Sequence, residues 1–110
     1  MINFGISILL LPFSFCFHGY LPIDRSERIK SLQQLERSAQ QRNETQIFIE
    51  APYRNNPMLK DILTACNNET RLCIASNIYT DQESIRTLRI QEWKKQIPEL
   101  HKIPAVFLIL

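Results

Sequence analysis

The sequence predicts a single α/β domain, a mixed β-sheet of about five strands flanked by helices. Three observations lead there. Short runs rich in β-branched and aromatic residues alternate with segments whose apolar residues recur at helical spacing. That alternation is the pattern of a sheet covered by helices. The length, 110 residues, allows one domain and excludes two. The hydrophobic share of 45% and the charged share of 22% are ordinary for a globular chain and exclude disordered, collagenous and disulfide-dense classes.

The elements follow in order. Phe13 to Phe17 reads as a first strand, closed by Gly19 and Pro22. Along it Ser14, Cys16 and His18 share one face and the phenylalanines the other, so the three polar residues form a sheet face rather than a catalytic set. Asp24-Arg25-Ser26-Glu27 reads as a capping box opening a helix from Arg25 to Arg42. Its apolar stripe is Ile29, Leu32, Leu35 and Ala39, opposite a polar face of Lys30, Gln33, Gln34, Arg37 and Gln41. Thr45 to Ile49 is a strong short strand. Asn55-Asn56-Pro57 opens the next helix, with proline in the first turn where its missing N–H costs little. That helix carries Met58, Leu59, Ile62, Leu63 and Cys66 on one face and ends at Asn67-Asn68.

Arg71 to Ser76 is a further strand, and 77–82 a polar loop. Glu83 to Leu88 reads as an edge strand in which apolar Ile85 and Leu88 alternate with Arg86, and Ile90, Trp93 and Ile97 mark a short helix ended near Pro98. Pro104 to Leu110 is a last apolar strand. Trp93, at helical spacing from two isoleucines, reads as core rather than as a base-stacking ring.

The charge balance, 13 Lys+Arg against 11 Asp+Glu, gives no strong basic field. Lys94, Lys95, His101 and Lys102 make only a small basic patch. Cys16, Cys66 and Cys73 are odd in number and irregular in spacing, and His18 and His101 lie far from any cysteine pair. The expectation is reduced thiols and no metal site. The apolar run 6–17 is shorter than the roughly 20 residues a bilayer needs. It has the length of a signal-peptide core but lacks a preceding Lys or Arg and a small-x-small cleavage site. A cytoplasmic protein without membrane association is expected. A small secreted protein is an alternative, in which Asn43-Glu44-Thr45 and Asn68-Glu69-Thr70 would match the glycosylation pattern.

With only Gly5 and Gly19, no glycine-rich phosphate cradle is present. No serine or cysteine nucleophile with a base is visible, and the catalytic residues are unknown. The best candidate for chemistry is Glu50, at the carboxyl end of an apolar strand where open α/β sheets bind ligands. Arg54, four residues on, can pair with it across the turn and fix that turn. Tyr53 offers a ring and a hydroxyl at the same mouth, or packs there as a partly buried ring.

Two motifs add a resemblance. Gly19-Tyr20-Leu21-Pro22, a basic amphipathic helix from Arg25 to Leu35, and then Thr45-Gln46-Ile47-Phe48-Ile49-Glu50-Ala51-Pro52-Tyr53-Arg54 occur together. The chain resembles the C-terminal half of the tetrapyrrole (corrin/porphyrin) methylase superfamily. It is most similar to the branch of the ribosomal RNA small-subunit 2′-O-methyltransferases, whose strand-end motif reads Tyr/Phe-Glu-Ser/Thr-Pro-His-Arg. Tyr53 stands where that branch usually has histidine, and Asn77-Ile78-Tyr79-Thr80 replaces an Arg-Glu-Leu-Thr-Lys type of segment. The resemblance covers 19–110, and 1–18 is an apolar leader that matches the family poorly.

The resemblance implies the second domain of an S-adenosylmethionine-dependent methyltransferase, with the cofactor in a cleft between two domains. It implies cofactor contacts at Glu50, Ala51, Ala75 and Ala105, with Tyr53 and Arg54 on the substrate side. The first domain supplies the family's glycine-rich loop. A chain lacking that loop is expected to bind S-adenosylmethionine weakly and to be inactive alone. The implied partners are a methyl acceptor, tetrapyrrole or rRNA, and a second copy of the chain through apolar surface left uncovered. A stand-alone binding or dimerisation module without enzymatic activity is the competing expectation.

Overall fold

The structure, a computed structural model, describes residues 14–110. The start of the first expected strand, Phe13, lies outside them, as does most of the apolar leader. The elements are β1 (Ser14–Tyr20), α1 (Arg25–Arg42), β2 (Glu44–Ile49), a 3-10 turn (Pro52–Arg54), α2 (Asn55–Ala65), β3 (Arg71–Ser76), β4 (Ser84–Arg89), α3 (Ile90–Lys95) and β5 (Ala105–Ile109). The predicted α/β class and five-stranded mixed sheet are observed, in the order β1-β2-β5-β3-β4. β1 runs parallel to β2, whereas β5 is antiparallel to both β2 and β3, and β4 is antiparallel to β3. β1, β2 and β3 therefore point the same way, and their carboxyl ends share one rim of the sheet with the starts of β4 and β5. Ser14 to Phe17 pair with β2, so the sheet reaches into the stretch assigned to the leader.

The helices bury their apolar residues against one face. Leu32, Leu35, Met58, Leu59, Ile62, Ile90 and Trp93 meet Phe48, Leu72, Ile74, Phe107 and Ile109 in one cluster. Phe48 and Phe107, on neighbouring strands, stack with centroids 5.6 Å apart. Ile47, Cys73 and Leu108 form a second, smaller cluster from strand residues on the other face. Among the described residues no helix is long and apolar enough to cross a membrane.

Four local readings are corrected. Asp24 caps α1 by accepting from the Glu27 N–H at 3.0 Å, a one-way cap rather than a reciprocal box. The buried stripe of α1 is Arg28, Leu32, Leu35, Glu36 and Ala39, with Ile29 only half-buried. Two charged residues take stripe positions because each finds partners inside. Ile85 and Leu88 do not share a face: Ile85 stands opposite Ala75 and Leu88 opposite Leu72. α3 stops at Lys95, which leaves Ile97 outside the helix and 62% exposed. Edge strand β4 and buried Trp93 match expectation. The indole N–H donates to the Leu72 carbonyl at 2.8 Å.

Candidate functional site

The site is built at the carboxyl rim of the parallel strands. β1 ends in an irregular register between Phe17 and Tyr20, where Gly19 takes φ +69°. A side chain is strained there, so glycine is what turns the chain out of the sheet. The turn carries Tyr20, Leu21, Pro22 and Ile23 over the end of β2. Together with Glu50, Ala51 and Arg54 they line a cleft of 420 Å³. A second cleft of 570 Å³ shares Ile23 and Arg54 with the first and continues past Arg25, Arg28, Lys60 and Asp61.

Glu50 is the anchor of this corner. It is 5% exposed. Its Oε1 accepts from the Ala51 N–H at 2.7 Å and lies 3.3 Å from Arg54 Nε. The Arg54 contact is an ion pair by proximity without an aligned hydrogen bond from that nitrogen, since Nε has no hydrogen-bond partner. The expected Glu50–Arg54 pair thus exists, and a second arginine joins it. Arg28 reaches Glu50 Oε2 at 3.4 Å through Nη2 and Asp61 Oδ2 at 3.3 Å through Nη1. It also donates to the carbonyls of Pro22 and Ile23, at 3.0 and 3.2 Å. Arg25 closes the group on Asp61 Oδ1 at 3.1 Å. One buried guanidinium therefore ties together α1, the end of β2, α2 and the Pro22–Ile23 turn. Buried charge is tolerated here because each carboxylate faces a cation.

Arg28 and Asp61 were not singled out in the sequence. The available signal was spacing: Arg28 stands one turn before Leu32 on the buried stripe of α1, and Asp61 lies beside Ile62 on α2.

The other expected residues are placed as follows. Tyr53 is 58% exposed and is not a packing ring. The Arg54 guanidinium lies 4.8 Å from its ring centroid and donates to its hydroxyl at 2.7 Å. Ala51 is half-buried on the cleft wall. Ala105 pairs with Ser76, and Val106 pairs with both Ala75 and Ile49. The register so brings Glu50, Ala51, Ala75 and Ala105 to one rim. Ala75 is fully buried and Ala105 is 8% exposed, so Ala51 is the one of the three alanines with ready surface.

The three cysteines are free; Cys66 and Cys73 are buried and Cys16 is half-buried. Burial, then the nearby Glu36 charge, pushes the Cys66 thiol up to about 12. Burial also raises Cys73, against a hydrogen bond with Thr87. Neither has the depressed pKa of a nucleophile. Among the described residues no cluster of His, Cys, Asp and Glu has the grouping of a metal site.

No protein-family model and no curated protein matches the sequence. Solved structures do match. Uroporphyrin-III C-methyl transferase from Thermus thermophilus, complexed with S-adenyl homocysteine, superposes with a TM-score of 0.53 at 15% identity, covering 90% of this chain and 42% of that one. Its native form gives 0.53 at 15%, with 90% and 40% covered. The methyltransferase CobJ gives 0.51 at 17%, with 87% and 40% covered. The chain is thus an α/β domain with a fold found in tetrapyrrole methyltransferases. It spans about two fifths of the length of those proteins.

Proposed function

We propose that this chain is the cofactor- and substrate-completing domain of an S-adenosylmethionine-dependent methyltransferase of the tetrapyrrole methylase superfamily, inactive until a first domain with a glycine-rich loop closes the cleft. The observation that carries this is the position of the Tyr20–Arg54 cleft, at the carboxyl ends of the parallel strands β1 and β2 in a fold shared with such enzymes. One neighbour of that fold is complexed with S-adenyl homocysteine.

The residues present suit that group. Ala51 offers a small, half-buried surface at the mouth, and Ala75 and Ala105 keep the rim behind it low. The Glu50 carboxylate is committed to Arg28, Arg54 and the Ala51 N–H, so its part is to hold the backbone of the Glu50–Arg54 turn. The cofactor, when bound, supplies a methyl group on a sulfonium. Such a transfer asks the protein mainly to align an acceptor, so a missing acid–base pair is no obstacle. Arg54, which lines the cleft, holds the exposed Tyr53 ring, and in this reading the pair forms the substrate wall. The acceptor is a tetrapyrrole or, in the rRNA 2′-O-methyltransferase branch, a ribose hydroxyl, and the reaction belongs in the cytoplasm. Edge strand β1, uncharged and carrying Phe15, Phe17 and Tyr20 exposed, offers a second copy of the chain an apolar pairing edge.

Titration calorimetry with S-adenosylhomocysteine tests the reading. The chain alone is expected to bind weakly, and far more tightly once a glycine-rich first domain is added. Ala51→Trp is expected to abolish that gain. Equal, absent binding with and without the added domain contradicts the proposal and leaves the stand-alone binding module.

A further inference from the structure

A further cavity lies away from the carboxyl rim. It is a groove of 680 Å³ between α2 and the segment joining α3 to β5. Leu59 and Leu63 of α2 form one apolar side, and Ile97 and Pro98 the other. Ile97 is 62% exposed although its chemistry favours burial.

The charges around the groove are unequal in availability. Glu99, its only carboxylate, is already engaged: Oε2 accepts from Asn56 Nδ2 at 2.6 Å and from the His101 N–H at 3.0 Å. Asn56 is engaged as well, its Oδ1 accepting from the Leu100 N–H at 2.9 Å. Lys60 and Lys94 also line the groove, and neither forms an ion pair among the described residues. Lys94 rests on a neutral partner, Asn68 Oδ1, at 2.8 Å.

We propose that this groove binds a small anionic amphiphile, with an apolar body against Leu59, Leu63, Ile97 and Pro98 and a carboxylate or comparable anion held by Lys60 and Lys94. Its volume falls among small-molecule sites, which run from about 300 to 1,000 Å³. Charge complementarity selects the sign of the head group, because two lysines without ion pairs among the described residues outnumber the single carboxylate of the lining and leave the groove net positive. Asn56 and Lys60 also line the second cleft, but none of the groove's residues lines the Tyr20–Arg54 cleft that carries the methyltransferase reading.

The test titrates the full chain with anilinonaphthalene sulfonate, an apolar sulfonate that fluoresces when bound, and then adds dodecanoate. Saturable binding at one site and displacement by dodecanoate are expected. The double charge reversal K60E and K94E is expected to weaken binding about tenfold, as two partly solvated attractions become repulsions. Both lysines are exposed, so the variant keeps its fold, and circular dichroism checks that. Affinity unchanged by the reversal, or no displacement by dodecanoate, would overturn the proposal. Side-chain methyl shifts give a second reading on the unmodified chain. Dodecanoate is expected to move Leu63 and Ile97 most, and largest shifts at Val106 or Leu108 contradict the site.

Discussion

Arg28 and Glu50 form a buried ion pair, with Nη2 and Oε2 3.4 Å apart and side chains 5% and 2% exposed. The pair joins α1 to the end of β2, and through Asp61 the same guanidinium reaches α2. Removing the arginine takes a cation from two buried carboxylates, leaving Glu50 with Arg54 and Asp61 with the exposed Arg25, and takes the donors from the Pro22 and Ile23 carbonyls. Arg28→Met is therefore expected to lower unfolding stability by about 3–5 kcal/mol. Glu50→Gln keeps an acceptor for the Ala51 N–H and is expected to cost less, about 1–3 kcal/mol. Urea unfolding of both variants checks the ranking, and equal small losses would mean the network contributes little.

Glu36 makes a second internal tie. Its Oε2 accepts from the Asn67 N–H at 2.7 Å and from the Thr70 hydroxyl, fastening α1 to the turn between α2 and β3. Thr70→Val removes one donor and is expected to cost about 1–2 kcal/mol. Glu36→Ala strands both donors and is expected to cost more. Thermal melts followed by circular dichroism read the difference.

Trp93, the only tryptophan, is 3% exposed and donates to the Leu72 carbonyl, while the Arg86 guanidinium lies 5.7 Å from its ring centroid. Trp93→Phe leaves that carbonyl without its side-chain donor and is expected to cost about 1–3 kcal/mol. Trp93→Ala opens a cavity and is expected to cost about 3–5 kcal/mol. In the parent chain, native fluorescence is expected at short wavelength and shifts red on unfolding.

The Cys66 thiol predicts a loss of stability in alkali. Its ordinary value is 9.0 and burial raises it to about 12 in the folded chain. Above pH 9 the unfolded chain releases a proton that the folded chain keeps, so stability falls as pH rises from 9 towards 12. Below 9 the contribution is fully present. Cys66→Ala is expected to flatten that part of the stability profile. A thiol reagent at neutral pH is expected to label half-buried Cys16 before Cys66 and Cys73.

Much of the fold was legible because apolar period alone defines it. The run Arg71–Ser76 and the helix Arg25–Arg42 coincide with observed elements, and Pro104–Leu110 contains β5. What was not legible depends on partners distant in sequence. Arg28 and Glu36 sit on the buried stripe of α1, but a charged residue reads as solvated until its partners, Asp61, Glu50 and Thr70, are known to be near. The insertion of β5 between β2 and β3 is a tertiary choice that no local pattern states. Ile97 fits the helical spacing of Ile90 and Trp93, but α3 ends before reaching it. At the site, the Glu50–Arg54 pair was visible as an i, i+4 spacing, whereas the cleft above it required the Gly19 turn to place Leu21–Ile23.

The most direct measurement is the backbone amide spectrum of the isotope-labelled chain, recorded with S-adenosylhomocysteine at concentrations high enough to register weak binding. The account predicts that the largest shifts fall at Tyr20, Ala51, Arg54 and Ala105. A spectrum unchanged at saturating solubility, or shifts concentrated around Leu59 and Ile97 instead, would contradict it.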